Sequence, residues 1–273
     1  MLKDITFGQY FECDSFIHKL DPRTKLISLL FTIVFIFVAQ NFISLAIISL
    51  LIFLSILLAK VPINMYLKNL KAILPILIFT LVINLFFNVG QSVEPAWAFS
   101  VWKLTITNVS LYRALYMSLR IVLLIIASAE LTYTTTPNDL TDAIETLMSP
   151  LRFIGLKNVV HTLAMMMTIA LRFIPTLIEE TQKIMSAQKA RGADLENGKL
   201  IERVKALVPI LIPLLISSVR RAYELAEAME CRCYNGGEGR VRMKQLTYGK
   251  CDFISLFVIV LCCTMVILTN IFL

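Results

Sequence analysis

Two arginines, Arg191 and Arg232, stand in matching surroundings. The stretch Ser186-Ala187-Gln188-Lys189-Ala190-Arg191-Gly192-Ala193-Asp194 has a degenerate echo in Glu227-Ala228-Met229-Glu230-Cys231-Arg232-Cys233-Tyr234. In each, an Ala precedes the Arg by one helical turn, so a small residue and a charge share a face. Each copy also closes a helical pattern. Gly192 suits the position just past a helix end, and the second copy reaches Asn235-Gly236-Gly237 a few positions later. The chemistry open to such a residue is ion pairing, because a guanidinium is always charged and presents a fork of donors that fits a carboxylate. Taken singly, each Arg is accounted for by a helix C-terminus whose basic residue complements the dipole. The duplication is what favours recognition of a partner.

Other groups were weighed for catalysis and metal binding. Cys231-x-Cys233 has no His or second Cys pair beside it, so a zinc site would lack ligands. The other cysteines, Cys13, Cys251, Cys262 and Cys263, fall with these mostly at expected cytoplasmic or mid-bilayer positions, where disulfides are not expected. A phosphate cradle needs Gly-x-x-x-x-Gly-Lys-Ser/Thr. From Gly192 to Gly198-Lys199 the spacing is one residue too long, and Leu200 stands where a magnesium-binding hydroxyl belongs. The chain is therefore not expected to be an ATPase. Asn138-Asp139-x-x-Asp142-x-x-Glu145 is similar to the aspartate-rich motif of membrane prenyltransferases, which hold diphosphate through magnesium. Here the third acid comes one position early, no second cluster of that kind follows, and a helix cap accounts for Asp139. His18 and His161 lack a spaced acid and nucleophile. Met165, Met166 and Met167 place thioethers around a helix rather than converging, and read as an adaptable apolar surface. Glu179-Glu180 reads as a solvated face. No catalytic residue, metal ligand or cofactor site is assigned.

The elements that position these residues follow from composition. At 58% hydrophobic and 16% charged residues over 273 positions, the chain is too apolar for a soluble domain of its size. The net charge of +7 is then read as the cytoplasmic Lys and Arg excess of a membrane protein, and no nucleic-acid partner is expected. Met1-Leu2-Lys3-Asp4 does not open a signal peptide. Residues 1–25 read as a cytoplasmic N-terminal segment, with Asp21 capping a helix that begins at Pro22. Residues 26–131 read as four spans: Leu26 to Ala39, Phe42 to Ala59, Ile73 to Phe87 and Leu111 to Leu131. A short external hairpin or strand pair near 90–107 carries Trp97 and Trp102, residues suited to headgroups. Arg113 can snorkel outward, and Arg120 is either functional or paired inside the bundle. Residues 132–250 hold more than half of the 26 Lys and Arg and read as a cytoplasmic domain of long helices. Its helices run from Pro137 to about Met148, from about Asn158 to Ala190, and from about Lys199 to Tyr234. Residues 253–273 form a last span, leaving the C-terminus outside. The fold class is an all-α integral membrane protein with about five spans plus the helical cytoplasmic domain.

The two long helices also share Ile174-Pro175-Thr176-Leu177-Ile178 and Ile212-Pro213-Leu214-Leu215-Ile216, each followed by a polar stretch and then an arginine copy. With His18-Lys-Leu-Asp-Pro-Arg-Thr-Lys25, Thr136-Pro-Asn-Asp139 and Leu171-Arg-Phe-Ile-Pro175, these motifs span nearly the whole chain. It resembles the transmembrane (T) component of energy-coupling factor transporters, a branch of the ABC transporters that import vitamins and trace metals in prokaryotes. The resemblance implies a non-catalytic scaffold in the cell membrane that joins two cytoplasmic ABC ATPases to a small substrate-binding S component. It implies that Ala190, Arg191 and Gly192, with Cys231, Arg232 and Cys233, engage the ATPases. The second copy departs from the family's Ala-Arg-Gly, which leaves open the left-handed turn that Gly permits.

On this reading, ATP-driven closure draws the two arginine-bearing ends together, and the apolar faces around Met165 to Met167 and Leu207 to Ile216 transmit the motion to the S component. Leu211, Leu214 and Leu215 are the expected contacts there. A conventional ABC permease with its own substrate path would need polar residues lining a route, and the first two spans carry almost none.

Overall fold

The computed structural model describes residues 10–86, 98–101, 104–149, 157–193, 200–236 and 246–272. Among them are eight helices: α1 (Pro22–Val38), α2 (Phe42–Ala59), α3 (Ile63–Phe86), α4 (Asn108–Thr134), α5 (Pro137–Leu147), α6 (Lys157–Ala190), α7 (Leu200–Glu230) and α8 (Lys250–Phe272). A two-stranded antiparallel hairpin pairs β1 (Ala98–Val101) with β2 (Leu104–Thr107), with Ala98 opposite Thr107. Trp97 and Trp102 lie outside the described residues, as do positions 1–9, Phe87 and Pro150.

Six helices, α2, α3, α4, α6, α7 and α8, are long and apolar enough to cross a membrane by length and composition. This differs from the five runs expected. At 17 residues, about 25 Å, α1 is one residue shorter than α2 and falls just under that length, although it lies beside α8 from end to end. In α6 and α7, few enough charges interrupt the apolar sequence that long stretches of each meet the requirement, although neither holds an uncharged run of that length. The third span is longer than its apolar run. Because Lys68 and Lys71 sit in its early turns, the sequence places the span from Ile73, but α3 starts at Ile63, directly after Pro62.

The chain divides into two compact units, 8–136 with 245–273, and 1–7 with 137–244. In the first, α1 and α8 run parallel. Asp21 meets Asp252 at one end, and Val38 meets Asn270 at the other. Ile36, Leu45, Ile48, Ile52, Leu123 and Val266 form the buried core between these helices, α2 and α4.

The polar ends of this unit are tied together. Asp21 caps α1, accepting from the Arg23 N–H at 2.9 Å, and Pro22 fills the first helical position, where no N–H is needed. The buried Asp252 carboxylate accepts from the Asp21 N–H at 2.8 Å with one oxygen and from the Gly249 N–H at 2.7 Å with the other. The Thr24 hydroxyl lies 2.9 Å from the first of these oxygens. One carboxylate thus serves the starts of both α1 and α8. Arg23 donates to the Leu246 carbonyl at 3.0 Å and sits over the Tyr248 ring. Lys25 donates to the carbonyls of Thr134 (2.8 Å) and His18 (3.2 Å).

At the opposite end, Arg120 donates to the Ala39 carbonyl at 2.6 Å, and the Tyr116 hydroxyl donates to the same oxygen. Arg120 therefore closes the C-terminus of α1, where a cation complements the helix dipole. Of the two readings open for it, pairing inside the bundle is what the structure contains.

In the second unit, Pro137 opens α5 with Asp139 in its first turn, as a helix start requires. His161 of α6 approaches Glu145 of α5 at 3.4 Å.

Candidate functional site

The pairing of α6 with α7 decides where the two arginines stand. Gln188 of α6 donates to the Pro209 carbonyl of α7 at 3.2 Å. Further along, Glu180 accepts from Arg221 at 2.7 Å and from the Ser217 hydroxyl. At the far end the Tyr234 hydroxyl lies 2.8 Å from the Met165 sulfur. As residue numbers fall along α6 they rise along α7, so the helices are antiparallel. The end of α6 lies beside the start of α7, and Arg191 and Arg232 sit at opposite ends of the pair. From Pro209 to Arg232 the rise of a straight helix is roughly 35 Å. The arginine ends are thus set far apart.

The two ends nevertheless have one backbone geometry. At the first, the Gly192 N–H donates to the Lys189 carbonyl (3.0 Å) and the Ala193 N–H to Gln188 (3.0 Å). At the second, the Cys233 N–H donates to Glu230 (2.9 Å) and the Tyr234 N–H to Met229 (3.1 Å). Both are Schellman motifs, which satisfy the last helical carbonyls by reversing the chain through a left-handed residue. Gly192 has φ 86° and Cys233 has φ 53°. The left-handed turn left open at the second copy is therefore present, carried by a residue with a Cβ. A Cβ added to Gly192 would meet nothing within 4 Å, so backbone conformation, not space, is what favours glycine there.

In each motif the arginine is the last residue before the left-handed one. Ala190, Arg191, Gly192, Cys231, Arg232 and Cys233 are all exposed. Both guanidinium groups thus sit where the backbone turns away, available to a groove on another protein.

The apolar candidates divide differently. Met166 and Met167 are exposed, as are Leu211 and Leu215. Met165 and Leu214 are half-buried, Met165 being turned toward Tyr234. Val159 and Leu163 on α6, with Leu207, Val208, Ile212 and Ile216 on α7, extend an exposed apolar surface too large for a water-facing protein.

Glu180 is a correction to the sequence reading, which made Glu179-Glu180 a solvated face. It is half-buried and joins α6 to α7. Its neighbour Glu179 is exposed. Which of two adjacent acids faces a partner helix depends on the pairing register, which the sequence pattern does not state. A second residue passed over is Glu130, whose carboxylate accepts from the Ser55 hydroxyl at 2.7 Å. The signal for it was plain, the one acid in a fourth span whose other charged residues are Arg113 and Arg120.

An antiparallel helix pair bearing two matched, exposed arginine ends, in a chain that also holds a bundle of apolar helices, is what a membrane subunit that meets partners would carry. Comparison with known proteins agrees: residues 14–243 match the family described as cobalt transport protein, CbiQ, and the chain belongs to that family. Among its relatives, the energy-coupling factor transporter transmembrane protein EcfT of Clostridium kluyveri is 52% identical over 265 residues, 96% of each chain. The proteins of the same name from Ruminiclostridium cellulolyticum (98% of each chain) and Bacillus subtilis (96% of this chain, 97% of that one) are 48% and 42% identical. The chain is thus a multi-pass transmembrane component of an energy-coupling factor transporter.

Proposed function

We propose that this protein is the non-catalytic coupling subunit of a prokaryotic nutrient importer. Its arginine-bearing ends, Ala190-Arg191-Gly192 and Cys231-Arg232-Cys233, each dock into one of two cytoplasmic ABC ATPases. The exposed apolar faces around Met166, Met167, Leu211 and Leu215, with Met165 and Leu214 behind them, meet a substrate-binding S component within the membrane lipid. With α1, α2, α3, α4 and α8 as the spans and α6 and α7 on the cytoplasmic side, the N-terminus is cytoplasmic and the C-terminus outside, and the cargo, a vitamin or trace nutrient, is chosen by the S component.

The observation that carries this reading is the matched pair of Schellman ends on one antiparallel helix pair. A single Arg at a helix end has a local explanation, whereas two copies of the same turn, one built against the preference of Cys, favour a shared external template. Because the ends lie far apart, two ATPases fit one to each end. Movement of the ATPases then alters the angle between α6 and α7 about the contact of Glu180 with Ser217 and Arg221.

Charge reversal tests it. In the R191E/R232E double variant, ATPases should no longer co-purify and uptake should stop. Each single variant should lose one of the two docking sites, halving the ATPase content. Full uptake with both ATPases retained in the double variant would refute the assignment.

A further inference from the structure

The two arginine ends share one backbone geometry and differ in chemistry. Arg191 is flanked by Ala190 and Gly192, which carry no reactive atom, and Arg232 by the thiols of Cys231 and Cys233, both exposed and unbridged. Among the other cysteines, Cys251 is exposed but isolated, and Cys13, Cys262 and Cys263 are half-buried. Only at the second arginine end do two exposed thiols stand within three residues of each other.

The turn keeps these thiols apart. Residues two positions apart on a helix project about 200° from one another. At the first end, whose turn is the same, a Cβ added to Gly192 meets nothing within 4 Å, the Ala190 methyl included. A disulfide brings its Cβ atoms to about 3.8 Å. Joining Cys231 to Cys233 therefore draws one Cβ toward the other across Arg232. That pulls against the two bonds of the turn, from the Cys233 N–H to Glu230 and from the Tyr234 N–H to Met229. The same bonds already hold Cys233 at φ 53°, a conformation that a Cβ disfavours, so the turn has little stability to spare.

We propose that Cys231 and Cys233 form a reversible redox switch on the second arginine end, closed by a low-molecular-weight disulfide, RS–SR. The inference rests on the docking role proposed above for Arg232. One cysteine thiolate attacks a sulfur of RS–SR, forming a mixed disulfide and expelling RS⁻. The second thiolate attacks the protein sulfur of that mixed disulfide, forming the Cys231–Cys233 bond and expelling the other RS⁻. The two protons lost by the cysteines end on two RSH, and two electrons pass from the protein to RS–SR. A reducing thiol reverses both steps. On the cytoplasmic side proposed for this end the pair is ordinarily reduced, and closure is a transient response to a rise in oxidised thiols. Once joined, the pair encloses Arg232 in a small ring, the Schellman bonds are released and the guanidinium loses its aim. The first end, which has no thiol, is untouched, so oxidation removes one docking site and leaves the other.

The test uses the full-length R191E chain in nanodiscs, so that only the second end binds, treated with glutathione disulfide and then freed of it. Trypsin cuts after Arg232, so the reduced chain gives Cys231 and Cys233 on separate peptides and the oxidised chain keeps them joined. Titration with purified ATPase should show binding weakened by oxidation on the order of tenfold or more, the size expected for one charged hydrogen-bonded contact, and restored by dithiothreitol. By linkage, saturating ATPase should slow the joining. C231A in the same background leaves Cys233 without a partner, and its affinity, whatever its value, should be the same before and after glutathione disulfide. Absence of the joined peptide, a joined peptide with unchanged binding, or a loss of binding in oxidised C231A equal to that of the intact pair would overturn the inference alone. A reduced R191E chain that binds no ATPase would overturn the docking role and the inference with it.

Discussion

Replacing Cys233 separates the backbone of the second arginine end from its side-chain chemistry. At φ 53° this residue occupies the left-handed region, which costs a residue with a Cβ roughly 1–2 kcal/mol. Glycine removes that cost, and its extra freedom in alternative conformations takes back about 0.5–1 kcal/mol, so Cys233→Gly should be close to neutral. Valine is worse, since a β-branched residue is a true outlier in this region, and an added 1–2 kcal/mol is about a 5–30-fold fall in the ratio of the turn to other conformers. What is lost with it are the 2.9 Å and 3.1 Å bonds to the Glu230 and Met229 carbonyls, the contact of Tyr234 with Met165 and the aim of Arg232. The assay is titration of purified ATPase onto the protein in nanodiscs, in an R191E background so that only the second end binds. C233V should weaken binding by about 5–30-fold with overall melting unchanged, and C233G should bind as the wild type does. Equal binding by C233V and wild type would refute the backbone argument. If C233G were as weak as C233V, the thiol and not the turn would be the determinant.

Two further perturbations address the first unit. Asp252→Asn leaves one acceptor for the buried Asp21 N–H and the part-buried Gly249 N–H and points a donor at one of them, a loss of roughly 2–4 kcal/mol that should lower the melting temperature by about 5–10 °C, and no shift in a thermal scan would contradict the shared cap. His18 gives a pH dependence. Its Nε2 lies 2.9 Å from the Phe11 carbonyl, which can only accept, so that nitrogen carries the proton of the neutral ring while Nδ1 meets the Ser15 hydroxyl at 2.6 Å. Burial lowers its pKa, assisted by the Lys25 charge and opposed by the Phe11 and Tyr133 carbonyls and by Asp14. The unfolded chain then takes up a proton near pH 6.5 that the folded one resists, so stability is constant above that pH and falls as pH drops below it. Melting curves between pH 8 and 5.5 should show this decline in the wild type and less of it in H18Q, and identical slopes would remove His18 as the cause.

Helix boundaries were legible in the sequence wherever local chemistry sets them. Asp21-Pro22 and Thr136-Pro137 announce α1 and α5, and Gly192 marks the end of α6, because caps and left-handed residues act within a turn of themselves. What depends on pairing between helices was not legible. Nothing in the Ile-Pro-x-Leu-Ile repeats states that α6 and α7 run antiparallel, so the placing of the arginines at opposite ends of the pair had no signal there. Cys233 shows a related limit. Its intrinsic preference argues against a left-handed turn, yet two hydrogen bonds hold it there. Arg120 was ambiguous because the carbonyl it closes belongs to α1, many residues earlier in the chain.

The sharing of Asp252 between α1 and α8 also has a consequence in time. The Asp21 N–H and the carboxylate that receives it are 231 positions apart, so at ordinary synthesis rates α1 waits on the order of 10–50 s for its partner to be made. During that interval every helix from α2 to α7 enters the membrane or folds beside it while the start of α1 is incompletely satisfied. Docking of α8 is then the event that locks the first unit, and a chain halted before that helix should present an unsealed bundle to the cell's quality-control proteases.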